Sequence, residues 1–193
     1  MNIAVFGGSF NPIHFGHLIA AQEILWSGMA EEVWFMPCYK NPLKQNGMTD
    51  TAKDRLEMVS LSIEGNPKLR VSELELKRKG ESYTIETIRE LKKSFPEHGF
   101  HWVMGSDLVE EFHKWKEAKE IVKEVKIIVF PLPDFKEINN ELIKNSEPLI
   151  VNTPITTNIS SSLIRERVKR NKPVDYLITR KVQTYLQEHE LYK

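Results

Sequence analysis

The sequence predicts an α/β fold in which a mostly parallel sheet carries helices on both faces. Short, nearly continuous apolar runs alternate along the chain with segments in which apolar residues recur at helical spacing. Strands that alternate with helices favour a parallel sheet, and strands without polar alternation are typical of a sheet covered on both sides. The chain has 193 residues, of which 40% are hydrophobic and 28% are charged. That length and composition fit one globular domain.

Each predicted element follows from a local pattern. Strands are predicted at the short apolar runs, residues 3–6, 32–37, 69–72, 100–104, 125–130 and 149–151. Helices are predicted at residues 18–28, 51–63, 84–95, 160–170 and 179–189. Between them, residues 131–148 are polar and bounded by prolines, and we expect a loop with a short helix there. We expect one Rossmann-like, doubly wound domain over residues 1–193, with its core in 1–151 and a closing helical segment in 152–193.

Charge and cysteine content argue against several classes of protein. Lys plus Arg and Asp plus Glu each number 27, so the net charge is zero and neither nucleic acid nor a membrane is an expected partner. The single cysteine, Cys38, is expected to be a partly buried bystander in a reducing cytoplasm. No apolar run approaches the roughly 20 residues that span a bilayer, and the N-terminus predicts a strand rather than a signal peptide. The sequence leaves open whether the protein forms a homo-oligomer.

The most informative segment is residues 7–17, GGSFNPIHFGH, which joins the first predicted strand to the first helix. Glycines at such a turn are by themselves weak evidence, because most of them only permit a tight bend. A strand, a glycine-rich turn and a helix N-terminus together present backbone N–H groups to an anion. His14 and His17 are three residues apart, so both rings can lie on one face of the helix. The segment therefore predicts a phosphate site beside two imidazoles.

A second anion site is predicted in residues 158–165, NISSSLIR. Serines before a helical pattern are usually N-caps, and capping explains one of the three. The remaining hydroxyls, the N–H groups of a helix N-terminus and the guanidinium of Arg165 together favour anion binding. Two separate anion sites can hold the two ends of a triphosphate.

Three further segments each allow more than one interpretation. Residues 79–84, KGESYT, precede a helix, where Ser82 or Thr84 could simply be its cap. Gly105 and Asp107 follow a strand at its carboxyl end, where ligands bind in doubly wound sheets, although Asp107 could also be a cap. Trp115 has histidine and lysine neighbours.

Two other tryptophans and one arginine have simpler expected roles. Trp26 and Trp34 are expected to be packing residues. Arg55 could be no more than a partner in a helix ion pair.

In order along the chain, these motifs resemble those of the nucleotidyltransferase superfamily, and the chain is similar over nearly its whole length to bacterial nicotinate mononucleotide adenylyltransferases. The resemblance rests on GGSFNPIHFGH, on GESYTIET at residues 80–87, on GSD with Trp115, and on ISSSLIR. It departs from the family pattern at Leu43, where histidine is common, and at Ser162, where threonine is common. The resemblance implies adenylyl transfer from ATP to nicotinate mononucleotide, giving deamido-NAD and pyrophosphate in NAD biosynthesis. Alternatives are nicotinamide mononucleotide or phosphopantetheine as the acceptor, and a non-catalytic nucleotide sensor.

The resemblance also implies roles for individual residues. His14, His17 and Arg165 would be catalytic. The ATP-binding residues would be Gly7, Gly8, Ser9, Phe10, His14, His17, Gly105, Asp107, Ile159, Ser160, Ser161, Ser162 and Arg165. The substrate-binding residues would be Ser9, Phe10, Lys44, Tyr83, Thr84 and Trp115. A Mg²⁺ ion bound through the ATP phosphates is the expected cofactor, and no metal site formed by protein ligands is expected.

Overall fold

Six parallel strands form the sheet in a computed structural model that describes residues 1–42 and 51–193. The strands are β1 (Asn2–Gly8), β2 (Glu32–Pro37), β3 (Leu69–Val71), β4 (Gly99–Gly105), β5 (Lys126–Phe130) and β6 (Leu149–Ile150). Their order is β3-β2-β1-β4-β5-β6, and every neighbouring pair is parallel. The predicted doubly wound α/β fold is confirmed.

Three of the eight helices in the described residues begin where a hydroxyl side chain caps them. The helices are α1 (Phe15–Trp26), α2 (Ala52–Ile63), α3 (Leu74–Arg78), α4 (Thr84–Ser94), α5 (Ala118–Glu124), α6 (Glu141–Lys144), α7 (Ser161–Lys169) and α8 (Arg180–Glu188). Thr51, Ser160 and Thr179 each accept a backbone N–H bond as the N-cap of α2, α7 and α8. The predicted ranges begin at these residues, each of which lies just before the first turn, and the prediction that one of the serines 160–162 caps its helix is confirmed at Ser160.

Two apolar clusters lie on opposite faces of the sheet. Along β1, Ile3 and Val5 point into one cluster and Ala4 points into the other, as the two-residue period of a strand requires. Helices α1, α2, α7 and α8 cover the Ala4 face, and α4, α5 and α6 cover the other. The C-terminal helices therefore pack against the same core as the N-terminal ones.

The two tryptophans predicted to pack differ. Trp34 on β2 is 6% exposed, which confirms its prediction, whereas Trp26 is 83% exposed and its prediction is wrong. Ile24 is fully buried on α1, and a residue two positions later points about 200° away around the helix. Trp26 therefore projects from the side of α1 opposite the core.

The strand order reverses between β1 and β4, which are neighbours although β2 and β3 intervene in sequence. Their carboxyl ends are Gly8 and Gly105, and ligands bind at such a reversal in doubly wound sheets. None of the helices within residues 1–42 and 51–193 is long and apolar enough to cross a membrane.

Candidate active site

Aromatic side chains pack closely against the loop of residues 9–14, which joins β1 to α1, and against the glycines before it. A Cβ atom on Gly7 would lie 2.5 Å from the Trp102 ring, and one on Gly8 would lie 3.0 Å from the Phe10 ring. Phe10 has a φ of 47°, in the left-handed region that non-glycine residues rarely adopt. Its ring is 2% exposed and packs against Phe6 at a centroid distance of 5.8 Å. Only the backbone of Phe10 can therefore contact a ligand.

His14 and His17 lie together at the start of α1, as predicted. Their rings stack with centroids 3.7 Å apart. His14 is the N-cap, and its backbone N–H donates to Nδ1 of His17 at 3.2 Å. Because Nδ1 accepts this bond, the proton of a neutral His17 is on Nε2. The capping bond thus fixes His17 as an Nε2–H donor.

Burial keeps His14 neutral. The residue is 7% exposed, and desolvation lowers its pKa to about 4. A Cβ atom on Gly16 would lie 3.0 Å from Nδ1 of His14, so the glycine between the two histidines leaves room for the ring. Both histidines can consequently present N–H groups without a net positive charge on His14.

The second motif packs directly on the first, although about 150 residues separate them. The Ser161 hydroxyl donates to the Pro12 carbonyl at 2.8 Å. Arg165 donates through Nη1 to the Asn11 carbonyl at 2.7 Å and through Nη2 to the Ser162 hydroxyl at 3.1 Å. The N-terminus of α7 therefore lies against the 9–14 loop, and the two segments predicted to bind anions are in direct contact.

Three of the residues predicted to bind the acceptor, Tyr83, Thr84 and Trp115, lie at or beside the N-terminus of α4. Tyr83 is the N-cap of α4 and Thr84 its first residue. Lys116 places its Nζ 4.2 Å from the centre of the Tyr83 ring, which brings the Trp115 segment to the 79–83 loop. Trp115 is half-buried, and its ring lies 5.2 Å from that of Phe112. Tyr83, Thr84 and the Trp115 segment are thus brought together.

The remaining predicted residues differ in how they are placed. Asp107 is exposed in a 3-10 turn (Ser106–Leu108) whose N-cap is Gly105, so the alternative role of Asp107 as a helix cap is wrong. A side chain on Gly105 would collide with the Asp107 carboxylate. Ile159 is half-buried just before the Ser160 cap. Lys44 and Leu43 lie outside the described residues.

Two charged residues near the site are buried, which the sequence analysis did not predict. Arg55 is fully buried and Glu75 is 4% exposed. Arg55 does not form the suggested helix ion pair; it donates to the backbone carbonyls of Ser9 and Tyr39 at 2.9 and 3.2 Å. Its spacing was a usable signal, because Arg55 shares a helix face with the buried residues Met58 and Val59. Glu75 lies on the five-residue helix α3, which is too short for periodicity to reveal.

Buried polar atoms without a hydrogen-bond partner concentrate at this site. Among the described residues there are six such side-chain atoms, and three of them belong to Asn11 of the 9–14 loop and to the predicted site residues His14 and Trp115. Buried polar groups are nearly always paired, so such a group of exceptions is typical of a place where a ligand supplies partners.

The donor set fits phosphate better than a directly bound metal. The described residues contain no group of three or more His, Cys, Asp or Glu side chains arranged to hold an ion. The site instead presents imidazoles, hydroxyls, a guanidinium and helix N-termini, all of which bind anions. Two surface grooves of about 370 and 360 Å³ are lined by none of the predicted site residues.

Comparison with known proteins identifies the family. The cytidylyltransferase-like family model matches residues 5–167. A probable nicotinate-nucleotide adenylyltransferase of Bacillus licheniformis is 38% identical over 192 residues, which cover 99% of this chain and 98% of the relative. The nicotinate-nucleotide adenylyltransferase of Bacillus subtilis is 36% identical over 191 residues, with 99% and 98% covered. The chain belongs to the nicotinate-nucleotide adenylyltransferase family.

Solved structures support the same fold for this adenylyltransferase. A Plasmodium falciparum nicotinic acid mononucleotide adenylyltransferase complexed with NaAD has a TM-score of 0.82 at 24% identity, covering 99% of this chain and 97% of that one. A putative nicotinate-nucleotide adenylyltransferase from Vibrio parahaemolyticus has a TM-score of 0.70 at 21% identity, covering 99% and 94%. The predictions of a nucleotidyltransferase enzyme and of a role in NAD biosynthesis are confirmed by the family. The roles of individual residues stay predictions.

Proposed function

We propose that the protein transfers the adenylyl group of ATP to nicotinate mononucleotide, releasing pyrophosphate and forming deamido-NAD. The observation that carries the site assignment is the direct packing of α7 on the 9–14 loop, through Ser161 to Pro12 at 2.8 Å and Arg165 to Asn11 at 2.7 Å. These contacts put the hydroxyls and guanidinium of one motif beside the N–H groups and imidazoles of the other. The names of the full-length relatives support the same reaction.

The reaction needs positioning and charge stabilisation rather than a strong base. A phosphate oxygen of the mononucleotide is already anionic at neutral pH and attacks the α-phosphorus of ATP. A new P–O bond forms, the bond from the α-phosphorus to the bridging oxygen breaks, and pyrophosphate leaves with the electron pair. Catalysis of such a transfer comes from aligning the two phosphates and neutralising charge as it develops.

Each described residue of the phosphate half has a role in this scheme. Backbone N–H groups of Gly8, Ser9 and Phe10 hold the attacking phosphate. His14 and His17 donate to the ATP phosphates, with His17 acting through the Nε2–H that the capping bond fixes. Because His14 is neutral in the free protein, it acts as a hydrogen-bond donor and not as a permanent cation.

The far end of the triphosphate is assigned to the N-terminus of α7. Ser161, Ser162 and Arg165 hold the β and γ phosphates, while Gly105 and Asp107 contact the adenosine half. The guanidinium of Arg165 is half-buried and already held by the Asn11 carbonyl, so little side-chain freedom is lost on binding.

The acceptor half would bind the pyridine ring and the carboxylate of nicotinate mononucleotide. N–H groups near Tyr83, Thr84 and the Gly105–Ser106 turn would bind the nicotinate carboxylate, since a helix N-terminus favours an anion. Trp115 would stack on the pyridine ring, and its half-buried position leaves ring surface for that contact. The role of Lys44 stays a prediction.

The proposal also includes a Mg²⁺ ion that binds with ATP and a cytoplasmic location for the protein. The anion-binding donors of the site fit a Mg²⁺ ion bound through ATP phosphates and water, which would offset phosphate charge. The protein would do no more than hold the phosphates that bind the ion. The sequence contains one cysteine, so no disulfide can form within the chain, which supports a reducing compartment, the cytoplasm. The oligomeric state stays open, and the proposal does not depend on it.

Pyrophosphate release from ATP and nicotinate mononucleotide tests the proposed function. We expect release with nicotinate mononucleotide, and slower release when nicotinamide mononucleotide replaces it. A preference for the amide or for phosphopantetheine would assign a different acceptor. ATP binding without pyrophosphate release from any of the three would indicate a sensor and overturn the enzyme.

A further inference from the structure

Arg55 joins two segments that surround the acceptor. The residue is fully buried on α2, and its Nη1 donates to the carbonyl of Ser9 in the 9–14 loop at 2.9 Å. Its Nη2 donates to the carbonyl of Tyr39, just beyond the end of β2, at 3.2 Å. Among the described residues no carboxylate pairs with this guanidinium. A buried, unpaired charge is costly, so the two carbonyl bonds are its main compensation.

The backbone of Tyr39 continues the connection on its other side. Its N–H donates to the hydroxyl of Ser82 at 3.0 Å. The backbone N–H of Ser82 in turn donates to the carbonyl of Lys40 at 2.9 Å. Residues 39–40 therefore lie alongside the 79–83 loop in a short strand-like pairing, with a bridge between Lys40 and Glu81.

The buried carboxylate of Glu75 holds the 79–83 loop in place through hydrogen bonds. It accepts from the Thr87 hydroxyl at 2.6 Å and is also bonded by the Ser82 hydroxyl. Burial raises the pKa of Glu75, and the two hydroxyl bonds act against that rise. Thr87 is fully buried and accepts from Arg78 at 2.9 Å. Two of the four hydroxyl side chains of the GESYTIET motif, those of Ser82 and Thr87, thus converge on one carboxylate.

We propose that Arg55 and Glu75 are positioning residues of the acceptor site, which together hold the backbone of Tyr39 and so fix the 79–83 loop relative to the 9–14 loop. The inference rests on the proposed function, because that function assigns the two loops to the two ends of nicotinate mononucleotide. The chain of bonds runs from Ser9 through Arg55 and Tyr39 to Ser82 and Glu75. Neither charged residue contacts the substrate.

The physical reason is that one small ligand must reach both loops at once. Its phosphate has to lie in line with the α-phosphorus while its ring lies on the 79–83 loop. A displacement of about 1 Å between the loops can cost on the order of a hundredfold in rate. Arg55 and Glu75 remove that freedom before the ligand binds, which is the preorganisation that lowers the cost of binding.

Steady-state kinetics of the full-length enzyme test the proposal with Arg55→Lys and Glu75→Gln. The matched controls are Arg170→Lys and Glu73→Gln, whose parent residues form exposed ion pairs with Glu166 and Lys77. We expect Glu75→Gln to raise the KM for nicotinate mononucleotide about tenfold with the KM for ATP within about twofold. Arg55→Lys should also lower kcat, by about tenfold, because Ser9 is in the phosphate half.

Combining the two variants tests whether they act through the same backbone. We expect the double variant to lose clearly less than the product of the two single losses, because either change alone already releases Tyr39. Independent, multiplicative losses would overturn the proposal. So would variants that lower the melting temperature while kcat and both KM values stay at the level of the controls.

Ser82→Ala covers the case in which Arg55→Lys or Glu75→Gln does not fold. It removes the hydroxyl that accepts from the Tyr39 N–H and bonds Glu75, without changing a buried charge, and it should raise the KM for nicotinate mononucleotide alone. An unchanged KM would contradict the proposal. Failure of the proposed function is distinct, because the wild-type enzyme would then release no pyrophosphate from ATP and nicotinate mononucleotide.

Discussion

The phosphate half and the acceptor half of the site are held in different ways. In the phosphate half, the groups assigned to the ligand are themselves part of the packing: His14 is 7% exposed and caps α1, and Arg165 bonds the 9–14 loop. In the acceptor half, Tyr83 and Trp115 are more exposed, and the buried residues are the ones beneath them, Glu75 and Thr87.

This difference reflects what each half must recognise. A triphosphate in reaction carries charge that changes during bond transfer, so its donors must be fixed in place by direct contacts. The charge on the pyridine ring and its carboxylate does not change during the reaction. Partly exposed groups that buried neighbours hold in place are therefore sufficient to bind them. Changes in the phosphate half should therefore appear mainly in kcat, and changes in the acceptor half mainly in the KM for the acceptor.

The largest expected effect is that of His17→Ala on turnover. The Nε2–H of His17 is fixed by the capping bond and would donate to a phosphate as charge develops. Loss of one such donor lowers kcat by roughly 10²–10³. We expect a loss in this range with little change in the KM for nicotinate mononucleotide, measured as pyrophosphate release.

His17→Asn is the informative companion to His17→Ala. Its amide oxygen can still accept the His14 N–H in place of Nδ1, but the shorter side chain has no donor at the position of Nε2, so turnover should also fall. A folded His17→Ala enzyme with near-normal kcat would refute the assignment of the phosphate half.

The sequence predicts the phosphate half better than the acceptor half, and the reason is physical. Anion sites are formed by local features such as glycines, cap residues and helix N-termini, so segments 7–17 and 158–165 reveal them without tertiary information. The positioning of the acceptor half depends on contacts between distant residues, such as Arg55 with Ser9, which are 46 positions apart. Similarly, long apolar strands were predicted to within one or two residues, while α3 was missed.

The next largest effect is the pH dependence of stability that His14 imposes. Its pKa is about 4 in the folded protein and 6.5 when exposed, so the unfolded chain binds more protons between these values. Stability is therefore complete above about pH 6.5 and falls as pH decreases toward 4, by on the order of 3 kcal/mol. Denaturant unfolding between about pH 7 and about pH 4.5 measures this fall.

His14→Gln separates this contribution from those of other titrating groups. The variant has no proton to gain at this position, so its free energy of unfolding should decrease less than that of the wild type over the same range. His113→Gln, at an exposed position, should follow the wild-type curve. Parallel curves for His14→Gln and the wild type would mean that His14 is not held neutral by burial.

The smallest effect is expected for Trp115→Ala, which tests the acceptor half alone. Stacking on a ring contributes about 0.5–1.5 kcal/mol, so the KM for nicotinate mononucleotide should rise about two- to twelvefold with kcat and the KM for ATP nearly unchanged. Trp115→Phe should keep most of the affinity, and Trp26→Ala, at a position 83% exposed, should change nothing. Because Trp115 also packs on Phe112, the variants must be assayed well below their melting temperatures. Equal losses for both substrates would assign Trp115 to packing and leave the 79–83 loop to bind the acceptor alone.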